Sequence, residues 1–419
     1  MASDLPALLH PFARPAMAAA DVVTIVRGDG AAVWDNHGQR YVDALASLWY
    51  CQAGHGRREI AEAVGRQANT LAGYHIFDRF GNEPSDNLAL RLAAMAPMED
   101  ARVFLTSGGS ESVETALKLA RLAHVLAGDP DRTLILSRRP SYHGVAYGAS
   151  TATGLPANQA GFGPLVPDIE QVPYDDLDAI DEVIARRGHQ LAAIIAEPVV
   201  GAGGVLPPPE GYLQGLRRRC DVTGAYLILD EVICGFGRLG HWWGAERYGV
   251  RPDMVTFAKG VTSGYQPLGG VLLGPAVRRP LEADAGYVLR HGFTYSGHPT
   301  ACAAALANLD VLKADDLPGR ALRVGERLAT GLAGMVDGET VLLTRGEGAV
   351  RAMVLGDGID ATAVRDDLLG RGVIARPLGT NVIAFCPPLV IDNEDLDHVV
   401  EATAESVAAV AHQLRAPVR

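Results

Sequence analysis

The chain has 419 residues, 48% of them hydrophobic, with 37 Lys and Arg against 49 Asp and Glu for a formal net charge of −12. That is enough apolar material for two to three domains, and the acidic balance argues against nucleic acid or an anionic membrane as partner. Five cysteines (Cys51, Cys220, Cys234, Cys302, Cys386) form no CxxC pair and no metal spacing, so a reduced, cytoplasmic protein without a metal centre is expected. The opening MASDLPALLHPFARPA does not read as a signal peptide, and no apolar run is long enough to span a bilayer.

Residues 1–30 read as an irregular arm. Ala31–Asp35 and Arg40–Val42 flank Asn36-His37-Gly38, a hairpin signal. Arg57–Leu71 and Pro84–Ala96 have helical character. Strands and helices then alternate: strand Val103–Leu105, helix Ser112–Leu126, strands Thr133–Leu136 and Ala192–Ala196, helix Gly211–Cys220, strands Tyr226–Leu229 and Val255–Phe257. Continuous apolar strands between helices imply an α/β fold whose parallel sheet is covered on both faces. After residue 300 the texture changes. Helices Ala301–Leu312 and Arg320–Met335 precede strands Thr340–Leu343 and Ala349–Val354, helix Ala361–Leu369, strands Val373–Ala375 and Val382–Phe385, and a last helix Asn393–Leu414. That order suggests a separate α+β domain.

In such sheets ligands sit beyond the carboxyl ends of the strands, and three polar features fall there. Ser107-Gly108-Gly109-Ser110 joins a strand to a helix, where glycines and free N–H groups admit a phosphate; an ordinary N-capped turn is the plainer alternative. Asp230 ends the apolar strand Tyr226–Leu229, where a desolvated carboxylate needs a partner such as a protonated ring nitrogen, or else caps the next turn. Lys259 follows Val255–Phe257, where burial would free its amine as a nucleophile, unless it reaches a surface turn. Gly235-Phe236-Gly237-Arg238-Leu239-Gly240 also matches the GxGxxG of an NAD(P)-binding dehydrogenase. The bulky His241-Trp242-Trp243 that follows does not suit a close-packed helix start, and Asp253 precedes its strand instead of ending it.

Taken in order, Ser107–Ala116, Ser141-Tyr142-His143-Gly144, Ala196-Glu197-Pro198-Val199, Leu229–Arg238, Phe257-Ala258-Lys259-Gly260 and Thr294–Pro299 resemble the class III (ω-type) aminotransferases, pyridoxal-phosphate enzymes of fold type I. The resemblance extends over essentially the whole chain. It implies a large cofactor domain at 56–300 on a mainly parallel sheet, and a smaller α+β domain at 301–419 joined by part of an arm at 1–55. Lys259 would hold pyridoxal 5'-phosphate as a Schiff base and then carry the proton, and Asp230 would keep the ring nitrogen protonated. Gly109 and Ser110 would hold the phosphate. Tyr142 and Val232 would take the two ring faces, and Glu197 would organise the site. Thr294 would reach the phosphate of a neighbouring subunit, which implies a homodimer, or a dimer of such dimers, with shared sites. His143 joins this set as a support, because Lys259 already supplies the proton transfer.

Many class III enzymes that use 2-oxoglutarate have Gln after Asp-Glu-Val, where this chain has Ile233. Ile233 and Cys234 resemble the branch that handles amines or ω-amino acids with pyruvate. Trp49 resembles an aromatic wall of that branch's pocket, although it could be plain core. Arg376 resembles its substrate-carboxylate clamp, although it could be a surface ion pair; a planar guanidinium suits a carboxylate. Phe77, and less so Tyr74, could line the same pocket. The expected substrates are a small-molecule amine donor and a 2-oxo acid acceptor, and the expected kinetics are ping-pong. A mutase, racemase or decarboxylase on the same cofactor is the nearest alternative.

Overall fold

A computed structural model describes residues 6–415. Near its start, β1 (Ile25–Asp29), β2 (Ala32–Asp35) and β3 (Arg40–Asp43) form an antiparallel meander. The β2–β3 turn is the expected hairpin, with Asp35 Oδ1 accepting from the His37 and Gln39 N–H groups at 2.9 Å each. β1 corrects the expectation of an irregular arm. It is an edge strand whose residues are mostly exposed, so it lacks the alternating burial that periodicity detects.

The central sheet comprises β4 (Arg102–Thr106), β5 (Leu134–Arg139), β6 (Ile169–Pro173), β7 (Leu191–Ala196), β8 (Tyr226–Asp230), β9 (Met254–Phe257) and β10 (Gly269–Leu273), in the order β4-β10-β9-β8-β7-β5-β6. Strands β5 to β9 pair in parallel, while β10 runs antiparallel to both β9 and β4. The sheet is therefore mainly rather than wholly parallel. β10 was hidden by Gly269-Gly270, residues that weaken strand propensity. Both are needed, because a Cβ on Gly270 would lie 2.7 Å from the Phe104 carbonyl and 2.5 Å from the Phe257 ring. The edge strand β6 and the helix Leu177–Arg187, capped by Asp176, were also not expected from the sequence. Strands β7, β8 and β9 are buried along their whole length, as their continuous apolar sequences require.

Beyond the helices Pro299–Ala314 and Leu317–Ala333 come β11 (Val341–Glu347), β12 (Val350–Leu355), β13 (Val373–Ile374), β14 (Arg376–Leu378) and β15 (Val382–Phe385), then the helix Asn393–Arg415. β11-β12-β15-β14 is an antiparallel sheet. The single strand expected at Val373–Ala375 is instead the junction of two. β13 pairs in parallel with β3, Val373 opposite Val42, and β14 then starts at Arg376 in the other sheet. All five cysteines are buried and free. No helix among the described residues is long and apolar enough to cross a membrane.

Candidate active site

Because β4 and β5 to β9 run the same way, their carboxyl ends open on one edge of the sheet. Asp230 is the last residue of β8, Glu197 follows β7, Lys259 follows β9 by two residues, and the β4 loop leads into the helix Gly109–Leu126. Asp230, 4% exposed, accepts at Oδ1 from Thr256 Oγ1 (3.1 Å) and from the Val232 N–H (3.2 Å). Its Oδ2 lies 2.7 Å from His143 Nδ1. An ionised carboxylate only accepts, so the proton of that contact sits on Nδ1. Thr256 faces Asp230 across the β8–β9 ladder. The neighbouring Glu231 serves a different purpose. It is fully buried, takes the Gly244 and Ala245 N–H groups at 2.7 Å each, and is pushed up to about 8 by burial.

Glu197 is also buried, and its carboxylate accepts from the Tyr142 N–H (3.0 Å) and the Gly201 N–H (2.8 Å). It shapes the loop that carries the Tyr142 ring rather than presenting a free acid. Burial raises its carboxyl above the usual range, the nearby Asp230 charge adds to this, and His143 and the two N–H donors oppose it. Burial lowers the Lys259 amine below the ordinary lysine value, against the pull of Asp230 and Glu197. A larger fraction of that amine is neutral, and nucleophilic, at a given pH than in a solvent-exposed lysine.

The helix Gly109–Leu126 starts in a way that suits an anion. Its N-cap residue, Gly108, is extended and offers no side chain to the first N–H groups, which are left pointing outward. A Cβ on Gly109 would lie 3.0 Å from Val232 Cγ1, so the helix start, Val232 and Ala258 are packed together. Ser110 Oγ accepts from the Val145 N–H at 3.0 Å, and Gly144 (φ +123°) passes so close that a Cβ there would lie 2.4 Å from Ser110 Oγ. An uncapped helix start, a strand-end carboxylate and an amine of lowered pKa thus converge on one edge. Together they offer a phosphate site, a partner for a protonated ring nitrogen and a nucleophile for an aldehyde, the three groups that pyridoxal phosphate carries.

The comparisons with known proteins agree. The family model for aminotransferase class-III matches residues 15–407. An omega-aminotransferase of Caulobacter vibrioides is 36% identical, covering 86% of this chain and 88% of that protein. A beta-alanine–pyruvate aminotransferase of Pseudomonas aeruginosa is 34% identical over 92% of each. The solved structure of an (S)-enantioselective omega-transaminase from Thermomicrobium roseum is 39% identical, with a TM-score of 0.92 over 96% of each chain. The chain belongs to the class III aminotransferases. Like the family, it is a pyridoxal-phosphate enzyme of fold type I. The dehydrogenase alternative falls with this, and the geometry agrees: Gly235–Gly240 is a set of buried turns that opens no long helix.

The remaining positions expected from the sequence divide in two. Arg376, at the start of β14, is partly buried, and its Nε has no hydrogen-bond partner among the described residues. Burial lowers its pKa, and the Tyr142 phenol opposes this, which puts the two side chains within electrostatic reach. Trp49 is 2% exposed, in an apolar cluster with Val199, Ile233 and Cys234 from the catalytic edge and Val350 and Ala384 from the C-terminal sheet. Phe77 and Thr294 are exposed. Phe77 lies with His291, Gly292 and Ser296 around a cavity of about 400 Å³ that includes none of the Asp230 set. Thr256 was not expected from the sequence, although a hydroxyl inside the otherwise apolar strand Met254–Phe257 is the signal that points to it.

Proposed function

We propose that this aminotransferase moves the amino group of a primary amine or ω-amino acid to a 2-oxo acid, pyruvate by preference, in two half-reactions that share one site. The buried Nε of Arg376, which has no hydrogen-bond partner among the described residues, carries this reading. Arg376 lies within electrostatic reach of Tyr142 and opposite the small Ala384 of β15, and on this reading it takes a substrate carboxylate. Ile233, 6% exposed and packed in the Trp49 cluster, offers no donor to a second carboxylate, which supports pyruvate over a dicarboxylic acceptor.

When bound, pyridoxal phosphate supplies an electrophilic carbon and a conjugated ring that accepts the electron pair of a broken C–H bond. The chain does the rest. Gly109, Ser110 and the uncapped helix start hold the phosphate. Asp230, fixed by His143 and Thr256, holds a proton on the ring nitrogen. Tyr142 and Val232 would hold the two faces of the ring. Lys259 Nζ would hold the cofactor's aldehyde carbon until a donor amine replaces it, and would then be the base and acid that moves the proton between the substrate carbon and the cofactor carbon. Trp49 and Ile233 bound the space for the donor's side chain. Phe77 and Thr294 belong to the site of a second copy of the chain, so the working unit is a homodimer. On this reading the chain divides into a cofactor domain at 56–300 and a small domain built from 301–419 and part of 1–55, and Arg376 belongs to the small domain.

The experiment is a spectral titration of the purified holoenzyme. Adding β-alanine, 1-phenylethylamine or L-alanine is expected to bleach the visible band, and pyruvate to restore it. Restoration by 2-oxoglutarate alone would overturn the pyruvate assignment. A donor consumed with no second substrate would instead favour a decarboxylase or racemase. In steady state, Arg376→Leu is expected to raise KM for pyruvate roughly 10- to 100-fold, the loss of a charge-assisted hydrogen-bond pair. The half-reaction with 1-phenylethylamine, which has no carboxylate, should change less than about threefold on the same scale. Equal losses for both substrates would remove Arg376 from the carboxylate site.

A further inference from the structure

Lys259 makes no hydrogen bond or ion pair with another described side chain, and its backbone is strained. Its φ is +49°, in the left-handed region that side-chain-bearing residues avoid, and it opens the short 3-10 turn Lys259–Val261. Such a conformation persists only where its surroundings over-determine it. The surroundings here converge on one residue outside the Asp230 set. Asn308 is fully buried on the helix Pro299–Ala314, among Ala304, Ala305, Leu309 and Leu312. Its Nδ2 donates to both carbonyls that follow the lysine, Gly260 O (2.8 Å) and Val261 O (3.0 Å). Its Oδ1 accepts from Ser263 Oγ (2.7 Å), and Ser263 Oγ in turn accepts from the Ala53 N–H (3.0 Å). The chain of bonds fixes the orientation of the amide, since the opposite flip would turn an oxygen against two carbonyl oxygens. On the other side the turn is gripped by Gln52, whose amide would lie 2.2 Å from a Cβ on Gly260 and donates to Gly235 O at 3.0 Å.

We infer that Asn308 is a positioning residue for the aminotransferase reaction. Through its two bonds to the Gly260 and Val261 carbonyls, it holds Lys259 in the left-handed conformation that aims the amine at the site. A buried asparagine on an apolar helix face is costly unless all its bonds are made, and here they are made to the lysine turn. Through Ser263 and Ala53 the same clamp reaches the segment that carries Trp49 and Gln52, so the substrate wall and the lysine are set from one point.

The inference rests on the proposed role of Lys259, and the test separates the two. In the holoenzyme, Asn308→Asp keeps the shape and removes both donors. It is expected to lower kcat with β-alanine and pyruvate roughly 30- to 300-fold, the scale of a small misplacement of a reacting group, with KM for pyruvate within about threefold. The pH midpoint of the visible spectrum should move by about half a unit or more, because the lysine's surroundings change. Ser263→Ala leaves Asn308 in place and loosens one anchor. It should shift the midpoint in the same direction and lower kcat about three- to tenfold, and it decides the matter should Asn308→Asp not fold. Folded variants with lower Tm but a wild-type midpoint and kcat would reduce Asn308 to packing and overturn the inference. A wild-type enzyme whose visible band does not respond to amines would instead overturn the role given to Lys259.

Discussion

Replacing Lys259 by alanine is expected to lower kcat by roughly 10⁴-fold or more, because the proposed mechanism makes one amine both the nucleophile and the proton carrier. Asp230 and the helix start at Gly109 remain in Lys259→Ala, so the variant should still take up the cofactor, with an altered visible spectrum. Lys259→Arg separates charge from basicity. A guanidinium keeps the positive charge but does not release its proton, and it should be as inactive as alanine. A small added amine should restore part of the lost rate in the alanine variant and none in the arginine one. The decisive measurement is a single-turnover half-reaction with 1-phenylethylamine, followed spectrally. A kcat within tenfold of wild type in either variant would remove Lys259 from the chemistry.

The second large effect is expected at Asp230. Asparagine has nearly the same shape but carries no charge, and it turns one of its two groups into a donor. The pocket offers three donors to that carboxylate, from Thr256, Val232 and His143. In Asp230→Asn the His143 contact survives through a change of imidazole tautomer, and a protonated ring nitrogen loses its counter-charge. A fall in kcat of roughly 10²- to 10³-fold is expected, with the binding of pyruvate little changed. The fold should respond differently. A buried carboxylate is costly to hold, and groups kept for function often lower stability. The Asp230→Asn apoprotein is therefore expected to melt at or above the wild-type temperature. A large loss of both activity and Tm would mean that Asp230 mainly holds the fold.

What could be read from the sequence, and what could not, follows from the kind of signal each residue leaves. Asp230 and Lys259 stand out because each ends a run of apolar residues long enough to be a buried strand. The strand-to-helix step at Ser107–Ser110 is visible from its glycines. The fold class follows from the alternation of such runs with helices. β1 and β6 are edge strands, with polar or exposed residues and no period to detect. β10 begins with two glycines that are there because neighbouring strands come too close for a Cβ, a reason no single sequence displays. Thr256 is the one polar residue of its strand, and Asn308 a polar residue among the buried apolar residues of its helix. That is a local signal, but its meaning depends on a partner far along the chain. Phe77 and Thr294 look like site residues by resemblance and are exposed in the single chain, Phe77 beside a cavity that includes none of the Asp230 set.

The parallel pairing of β13 with β3 has a consequence for how the protein is made. Val42 and Val373 are neighbours in one sheet although more than three hundred residues separate them. During synthesis the β1–β3 meander leaves the ribosome early and then waits, one edge open, until nearly the whole polypeptide has followed. Contacts of such long separation form late and slowly. The central sheet, complete once β10 has emerged, can assemble first, and the N-terminal strands join afterwards. A nascent chain stopped before residue 373 would therefore carry an unpaired β3, a template for association with other chains.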